Sequence, residues 1–283
     1  DNNWPVETAP AAENGGFESY QERIDGKKIR ARSEAFSDHF SHARLYYKSL
    51  APHEQKHVVD AYTFELSKVQ RKHIREREVQ EVLANIDLDL AQQVGKNLGI
   101  EVPNSAQNMK SSTVEKSAKF TMQAFIPEDI KARKIAVLVH DKVNQENIEA
   151  IQQWAKTENA VAHILTPMPA PVLNSKQAKL DSNGMQKAEP SIAYDAVIVV
   201  DGDNYEVVKQ DGVTKHYILE AYKHLKPIVF LGDKQKLLDA LQLVTDEGTL
   251  STDSFAAIQD KFKDLIRHHR IWARGKNAEA IPA

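Results

Sequence analysis

The chain has 283 residues, which is long enough for one large domain or for two domains of ordinary size. Its formal net charge of −3 gives no basic footprint for nucleic acid or for an anionic membrane, so neither is expected as a partner. The absence of cysteine excludes disulfide bonds, thiolate metal sites and cysteine nucleophiles. The first residues, DNNWPVETAP, contain no Met and no signal-peptide pattern, which indicates a processed chain or the later part of a longer one.

Residues 1–38 show no sustained hydrophobic period, although they contain the aromatic residues Trp4, Phe17, Tyr20 and Phe36. A structureless segment of this length is unusual inside a compact domain. Two interpretations remain open. The segment is either a disordered tail or an extended arm whose aromatic side chains dock on another domain or subunit.

Residues 39–100 read as a compact all-α domain of short helices. Pro52 suits the first turn of a helix, and an apolar stripe then runs from Val58 to Val69. Gly99 is placed to end the last of these helices. Because a unit of about sixty residues buries little surface by itself, it is expected to pack against another part of the protein.

Residues 101–131 are polar and aperiodic, which predicts a linker. In residues 132–283, apolar runs alternate with helical patterns, and a long final helix is predicted through Phe255 and Trp272. This alternation predicts an α/β domain with three layers, in which a parallel sheet of four or five strands is covered by helices on both faces, as in flavodoxin-like folds. The named strands are KIAVLVH (134–140), VAHIL (161–165), YDAVIVV (194–200) and KPIVFLG (226–232).

The stretch HEQKH matches the zinc-protease signature H-E-x-x-H. His53 and His57 would share one face of a helix and bind one Zn²⁺, and Glu54 would activate the zinc-bound water. A third ligand would have to come from further along the chain, where Glu76 and Glu78 are the candidates.

The same stretch also has a simpler interpretation as the start of a helix. Lys56 lies inside the motif, where a cation disfavours a bound Zn²⁺. Pro52 would occupy the first helical position and Glu54 would lie near the positive end of the helix dipole. The two histidines would then lie on a partly solvated face and bind no metal.

Parallel sheets of this kind bind ligands beyond the carboxyl ends of their strands. The first strand is followed by His140, Asp141 and Lys142, without the glycine-rich loop of a dinucleotide site.

After YDAVIVV the chain continues with Asp201, Gly202, Asp203 and Asn204. This resembles the start of a calcium loop, but Tyr205 and the lack of the later Gly and Glu break the pattern. A tight acidic turn is the favoured interpretation.

The strand KPIVFL is followed by Gly232, Asp233 and Lys234. Hydrolase-like folds place a nucleophile at such a corner, and glycine has no side chain that can attack. His268 and His269 form a further candidate metal pair, but adjacent helical residues point about 100° apart and share no face. A helix C-terminus that favours cations explains this pair better.

Three blocks of the sequence resemble, in the right order, parts of one family, the large-subunit haem catalases of the hydroperoxidase II type. The resemblance runs from residue 1 to residue 283. The similar blocks are the wrapping segment (NWPVETAP and NGGFESYQERIDGKKIRARSEAFSDHFSHARL), the helical domain (HEQKHVVDAYTFELSKVQRKHIREREVQEVLANIDLDLAQQVGKNLGIE) and the extra C-terminal domain (YDAVIVV, EAYKHLKPIVFLGD and HHRIWARGKNAEAIPA).

The resemblance implies a cytoplasmic haem enzyme that dismutes hydrogen peroxide to water and oxygen, usually as a homotetramer. Such catalases hold the distal His and Asn and the tyrosine ligand of the iron in an N-terminal β-barrel region, which this sequence does not contain. The chain is therefore expected to have no catalytic, cofactor-binding or metal-binding residue, and no haem by itself. Its expected partner is the haem-binding β-barrel part of the same catalase, and its expected roles are tetramer assembly, stability and substrate-channel access.

The last domain also resembles the class I glutamine amidotransferase and intracellular-protease superfamily. Active members use a cysteine at the corner after the strand that matches KPIVFL, where this chain has Gly232. This difference indicates a scaffold without hydrolase chemistry. Two alternatives remain: a holdase-type chaperone formed by residues 132–283, and a zinc hydrolase that uses HEQKH.

Overall fold

The computed structural model describes residues 11–16, 18–106, 114–169, 171–200, 206–232 and 235–282. Its N-terminal segment contains two short 3-10 turns, Ala12–Asn14 and Glu34–Ser37. Residues 18–33 between them form neither helix nor strand, and they leave Tyr20 and Ile24 almost fully exposed. The aromatic residues Trp4 and Phe17 lie outside the described residues.

A compact helical unit follows. Its core is formed by buried side chains that recur at helical spacing, such as Val79, Leu83, Leu90 and Val94, so the apolar period of the sequence is the face that packs. Its helices are α1 (Ser41–Ser49), α2 (Pro52–Ser67), α3 (Lys72–Arg77), α4 (Ala84–Ile86) and α5 (Leu88–Leu98), and a π-helical turn (Glu78–Leu83) joins α3 to α4.

The ends of these helices have specific hydrogen-bond partners. The Asp87 carboxylate accepts a hydrogen bond from Leu90 N at 3.1 Å and so caps the start of α5. Gly99 adopts a left-handed conformation with φ of 67°, and Ile100 N donates to Gly95 O at 2.8 Å, which confirms the predicted helix end.

The segment between the two units packs on the helical unit through short 3-10 turns, Ala118–Phe120 and Met122–Ala124. Ser117 N donates to Ser49 Oγ at 2.8 Å. Met122 and Phe125 remain 84% and 80% exposed, so this segment presents apolar side chains to its surroundings.

The α/β unit is built on a six-stranded sheet with the order β5-β2-β1-β6-β7-β8, in which every neighbouring pair is parallel. A separate antiparallel pair, β3-β4, lies beside it. The strands are β1 (Lys134–Leu138), β2 (Val161–Thr166), β3 (Val172–Leu173), β4 (Lys179–Leu180), β5 (Gly184–Met185), β6 (Ala196–Val200), β7 (Ile228–Leu231) and β8 (Thr249–Thr252).

Helices cover both faces of this sheet. Ile135 and Val137 of β1 point into one apolar cluster, and Ala136 and Leu138 point into the other. Burial on both faces explains why the strand is a continuous apolar run, and it confirms the α/β class. The helices are α6 (Gln145–Thr157), α7 (Glu206–Gln210), α8 (Gly212–Lys223), α9 (Gln235–Leu241), α10 (Gln259–Arg267) and α11 (Gly275–Ala278).

The prediction of one long final helix is wrong. A 3-10 turn, Phe255–Ala257, precedes α10, and the helix stops at Arg267. His269 then takes a left-handed conformation with φ of 67°, and Ile271 N donates to Leu225 O at 2.8 Å. After this turn, Ile271 and Arg274 are buried in the core.

Arg274 is the residue that this turn delivers to the core. Its guanidinium is fully buried and makes two hydrogen bonds to Asp246, from Nε at 2.6 Å and from Nη2 at 2.9 Å. Nη1 donates to Lys226 O at 2.6 Å, and the charge lies 4.2 Å from the ring centroid of Tyr222. Although burial opposes ionisation, Arg274 holds the pKa of the Asp246 carboxyl below its ordinary value.

Among the helices of the described residues, none combines the length and the apolar character needed to cross a bilayer.

Candidate functional site

The HEQKH stretch lies at the start of α2, with Pro52 as its first residue. Glu54 is used structurally. Its carboxylate accepts hydrogen bonds from Ala51 N at 2.7 Å, from the Thr121 hydroxyl at 2.7 Å and from Met122 N at 2.9 Å. Partial burial raises the pKa of this carboxyl, but the three hydrogen bonds outweigh it and hold the pKa below its ordinary value. Glu54 therefore caps the helix and fastens the linker to it.

The histidines of the motif meet an aromatic residue from the other end of the chain. The His53 ring stacks on Trp272 with 3.9 Å between ring centroids and an interplanar angle of 14°. His57 meets the same indole edge to face at 5.9 Å. Partial burial lowers the pKa of His53, although the charge of the Glu54 carboxylate acts to raise it. These contacts join the helical unit to the segment after α10.

The proposed third ligands have other surroundings. Glu76 pairs with Lys72 at 3.0 Å within α3, and Glu78 begins the π-helical turn. The described ranges contain no cluster of three or more His, Asp or Glu side chains arranged to hold a metal ion. Glu54 and His53 thus both have partners within the protein.

Replacing Glu54 by glutamine is expected to lower the free energy of unfolding by about 1 kcal/mol, because an amide oxygen accepts fewer of the three hydrogen bonds. Urea unfolding measures the loss, and Glu65→Gln, which removes one exposed carboxylate of the same helix, is the matched control. A zinc-dependent rise in Tm that disappears in His57→Ala would contradict the structural interpretation of the motif.

At the carboxyl end of β1, four polar side chains come together. His140 is buried, and its Nε2 lies 3.3 Å from Asp211 Oδ2 and 3.1 Å from the Thr214 hydroxyl. That hydroxyl lies 2.6 Å from Gln186 Oε1. Burial lowers the pKa of His140 despite the neighbouring carboxylate of Asp211. The hydrogen bonds run between these side chains themselves, so the cluster ties α8 to the sheet.

The other two strand ends are described only in part. Residues 201–205, which include the predicted acidic turn, lie outside the described residues. At the end of β7, Gly232 has φ of 110°, a conformation that side chains rarely adopt, and its N donates to Thr252 O at 2.9 Å. A glycine with a positive φ therefore follows this strand, and Asp233 and Lys234 lie outside the described residues.

His268 and His269 do not form a pair. Nδ1 of His268 lies 2.8 Å from Asp264 O, within the last turn of α10. His269 turns away in its left-handed conformation, and its Nδ1 lies 4.0 Å from Asp195 Oδ1. The helix on which this pair was predicted ends at Arg267, so the argument from adjacent helical positions does not apply to it.

The basic residues Arg133, His269 and Arg270 converge near Asp195, an arrangement that the sequence analysis missed. Arg133 Nη1 donates to Asp195 Oδ1 at 2.9 Å. Arg270 Nη1 lies 3.4 Å from His269 Nδ1 and donates to His269 O at 2.9 Å. Arg133, Asp195 and the adjacent pair His269 and Arg270 come from three segments more than sixty positions apart, so no local motif marks them.

Burial raises the pKa of several tyrosines in the described part of the chain. The pKa of Tyr47 rises to about 12, and the pKa values of Tyr194 and Tyr217 rise as well. The Tyr222 hydroxyl donates to Val244 O at 2.8 Å.

Comparison with known proteins identifies the family. The family model described as "Catalase-related immune-responsive" matches residues 33–98. The model described as "C-terminal domain found in long catalases" matches residues 131–276, just over half of the chain.

Similar curated proteins carry catalase names. The chain is 43% identical to Catalase HPII of Pseudomonas putida, and the alignment covers 100% of this chain and 40% of that protein. It is 39% identical to Catalase HPII of Pseudomonas aeruginosa, again over 100% of this chain and 40% of the relative. Catalase-B of Dictyostelium discoideum is 35% identical over 100% of this chain and 41% of its own length. The chain thus spans about 40% of the length of the relatives it matches. Both matched regions agree with the helical and α/β units described above, and we conclude that the chain belongs to the family of long catalases, as their C-terminal part.

Proposed function

We propose that the chain is the C-terminal portion of a haem catalase that dismutes hydrogen peroxide to water and oxygen. In this proposal the portion has no catalytic residue. It serves tetramer assembly, stability and access of peroxide to the haem, which is held by the N-terminal β-barrel part of the same protein. Relatives named as catalases, more than twice as long as this chain, support the proposal.

One observation carries the proposed role in assembly. Residues 18–33 extend without helix or strand, and Tyr20, Ile24 and Ile29 are 86%, 84% and 75% exposed. Three large apolar side chains on one short segment lose favourable burial unless another surface covers them. We infer that this segment, as part of an arm over residues 1–38, docks on the haem-bearing part or on neighbouring subunits of a homotetramer.

The order of the main strands supports a flavodoxin-like assignment for the α/β unit. With the short edge strand β5 left aside, the order β2-β1-β6-β7-β8 is the doubly wound order of flavodoxin. The glycine at the corner after β7 fits a class I glutamine amidotransferase-like scaffold without a nucleophile. We propose the boundaries 39–100 for the helical domain, 101–131 for the linker and 132–283 for the C-terminal domain.

The cytoplasm is the proposed compartment, and neither nucleic acid nor a membrane is a proposed partner. No observation on the described residues favours the holdase-type alternative.

The test of catalysis compares the longer protein that contains this chain with the 283-residue chain. The longer protein is expected to show a Soret band and rapid oxygen release from peroxide, and the shorter chain is expected to show neither. A haem spectrum in the shorter chain, or a longer protein without peroxide activity, would contradict the proposal.

The test of assembly uses the triple variant Tyr20→Ala, Ile24→Ala and Ile29→Ala in the longer protein. Analytical ultracentrifugation is expected to show a shift from tetramer to smaller species. Ile192→Ala is the matched control, because Ile192 is 64% exposed on the α/β unit. An unchanged tetramer in the triple variant would show that these side chains do not hold the assembly together.

A further inference from the structure

A cleft of about 990 Å³ opens where the start of α2, the linker and the chain after α10 meet. Apolar side chains, among them Phe125, Leu265 and Trp272, form part of its wall. The wall carries both signs of charge and four imidazoles. Its arginines are Arg133, Arg267 and Arg270, its carboxylates are Glu54, Glu247 and Asp264, and its histidines are His53, His57, His268 and His269.

Two of the three wall carboxylates, Glu54 and Asp264, are engaged by local partners, and Glu247 is the third. Glu54 accepts from Thr121 and from two backbone amides. Asp264 pairs with Arg267 at 3.1 Å and lies 3.8 Å from His268. Both carboxylates are therefore held by local partners.

A local excess of positive charge lies around Asp195. The Asp195 carboxylate accepts from Arg133 at 2.9 Å and from the backbone N of Lys134 at 2.8 Å. His269 lies 4.0 Å from the same carboxylate, and Arg270 contacts His269. One carboxylate thus faces two guanidinium groups and an imidazole, which leaves a net positive charge in partly buried surroundings.

Two further observations single out His269. It holds a left-handed backbone with φ of 67°, where glycine is the relaxed residue. Its Nδ1 accepts from Arg270 at 3.4 Å, which requires a neutral imidazole with its proton on Nε2. The pKa of His269 is lowered by burial and by the neighbouring cations Arg270, Arg133 and Lys226. The carboxylate of Asp195 acts in the opposite direction.

We propose that this cleft binds a small molecule with one oxyanion group on an apolar or aromatic body. Arg133, His269 and Arg270 surround the oxyanion, and Phe125 and Trp272 contact the body. Guanidinium and imidazole N–H groups are strong donors to carboxylate and phosphate oxygens. The volume exceeds that of a single ion and is in the range of small-molecule sites, which are mostly apolar with a few converging polar groups.

The test titrates the full chain with phenyl phosphate, benzoate, inorganic phosphate and benzyl alcohol, followed by NMR of the histidine Cε1–H signals. The two aromatic anions are expected to bind saturably and to shift the His269 signal, since a bound anion raises the pKa of its imidazole. Which of them binds more tightly distinguishes a phosphate from a carboxylate ligand. Benzyl alcohol binding as tightly as the anions, or no saturable binding by either anion, would overturn the proposal.

Two variants separate binding from folding. Arg270→Gln is expected to weaken binding of the preferred anion by about tenfold or more, because it removes a charge-assisted donor. His269→Gly is expected to weaken binding while Tm stays equal or rises, because glycine relaxes the left-handed position. The matched control is Lys276→Gln, which removes one exposed positive charge outside this cleft. Unchanged affinity in both cleft variants would show that the anion binds elsewhere.

Discussion

Replacing Asp246 by alanine is expected to lower the free energy of unfolding by about 3–5 kcal/mol. The substitution leaves the Arg274 guanidinium fully buried, with its Nε and Nη2 hydrogen bonds to the carboxylate lost. A buried cation without a counter-charge is among the most destabilising single changes. Urea unfolding followed by circular dichroism measures the effect.

A second substitution tests the cause of this loss. Adding Arg274→Met to Asp246→Ala is expected to recover part of the stability, because it removes the buried charge itself. The matched control is Asp60→Ala, which breaks an exposed ion pair with Lys56 and is expected to change the free energy of unfolding by less than about 1 kcal/mol. An Asp246→Ala variant as stable as this control would show that water or another residue compensates Arg274.

Replacing Phe262 by alanine is expected to cost about 3–5 kcal/mol of unfolding free energy. Phe262 is fully buried on α10, with 5.7 Å between its ring centroid and that of Trp154 and 6.2 Å to that of Phe255. Truncation removes the apolar contact and opens a cavity that this aromatic cluster cannot readily fill.

Thermal unfolding and tryptophan fluorescence check the Phe262→Ala prediction together. A lower Tm and a changed emission from Trp154 are expected. Phe64→Ala is the control, because Phe64 is 62% exposed on α2 and its truncation is expected to stay within about 0.5 kcal/mol. Equal losses of unfolding free energy in the two variants would mean that the burial of Phe262 does not determine the destabilisation.

The strands that are buried on both faces could be predicted from the sequence. In β1 and β6 every core position is apolar, because no face of these strands reaches water. The sequence does not predict strand β8, since TLST is short, has three polar residues out of four and lies at an edge of the sheet. The edge strand β5, with only Gly184 and Met185, is too short to leave a periodic signal.

The break after α10 shows what a local pattern misses. Apolar residues continue at near-helical spacing from Phe262 to Trp272, so periodicity favours one helix. The course of the chain after α10 is set by residues distant in the sequence. The backbone N of Ile271 donates to Leu225 O, and Arg274 forms an ion pair with Asp246. Tertiary contacts override local propensity in this segment.

The candidate cleft depends on the same long-range contacts. The motif HEQKH suggested a metal because its spacing is correct, but the sequence does not show that Glu54 is engaged by Thr121 or that His53 stacks on Trp272. Likewise, Arg133 and Arg270 lie 137 positions apart in the sequence, and the fold brings both near Asp195.

The position of β1 at the centre of the sheet has a consequence during synthesis. It is the first strand of the sheet to leave the ribosome, yet its two neighbours, β2 and β6, are made later, and β6 only after the β3-β4 hairpin and β5. One edge of this apolar strand therefore stays unpaired until β2 has been made and the other until β6 has been made, and unpaired edges promote association between nascent chains. The helical unit, whose contacts are local, is complete by then and can fold beforehand. Slower translation between β1 and β6 is thus expected to lengthen the period in which the new chain is vulnerable to aggregation.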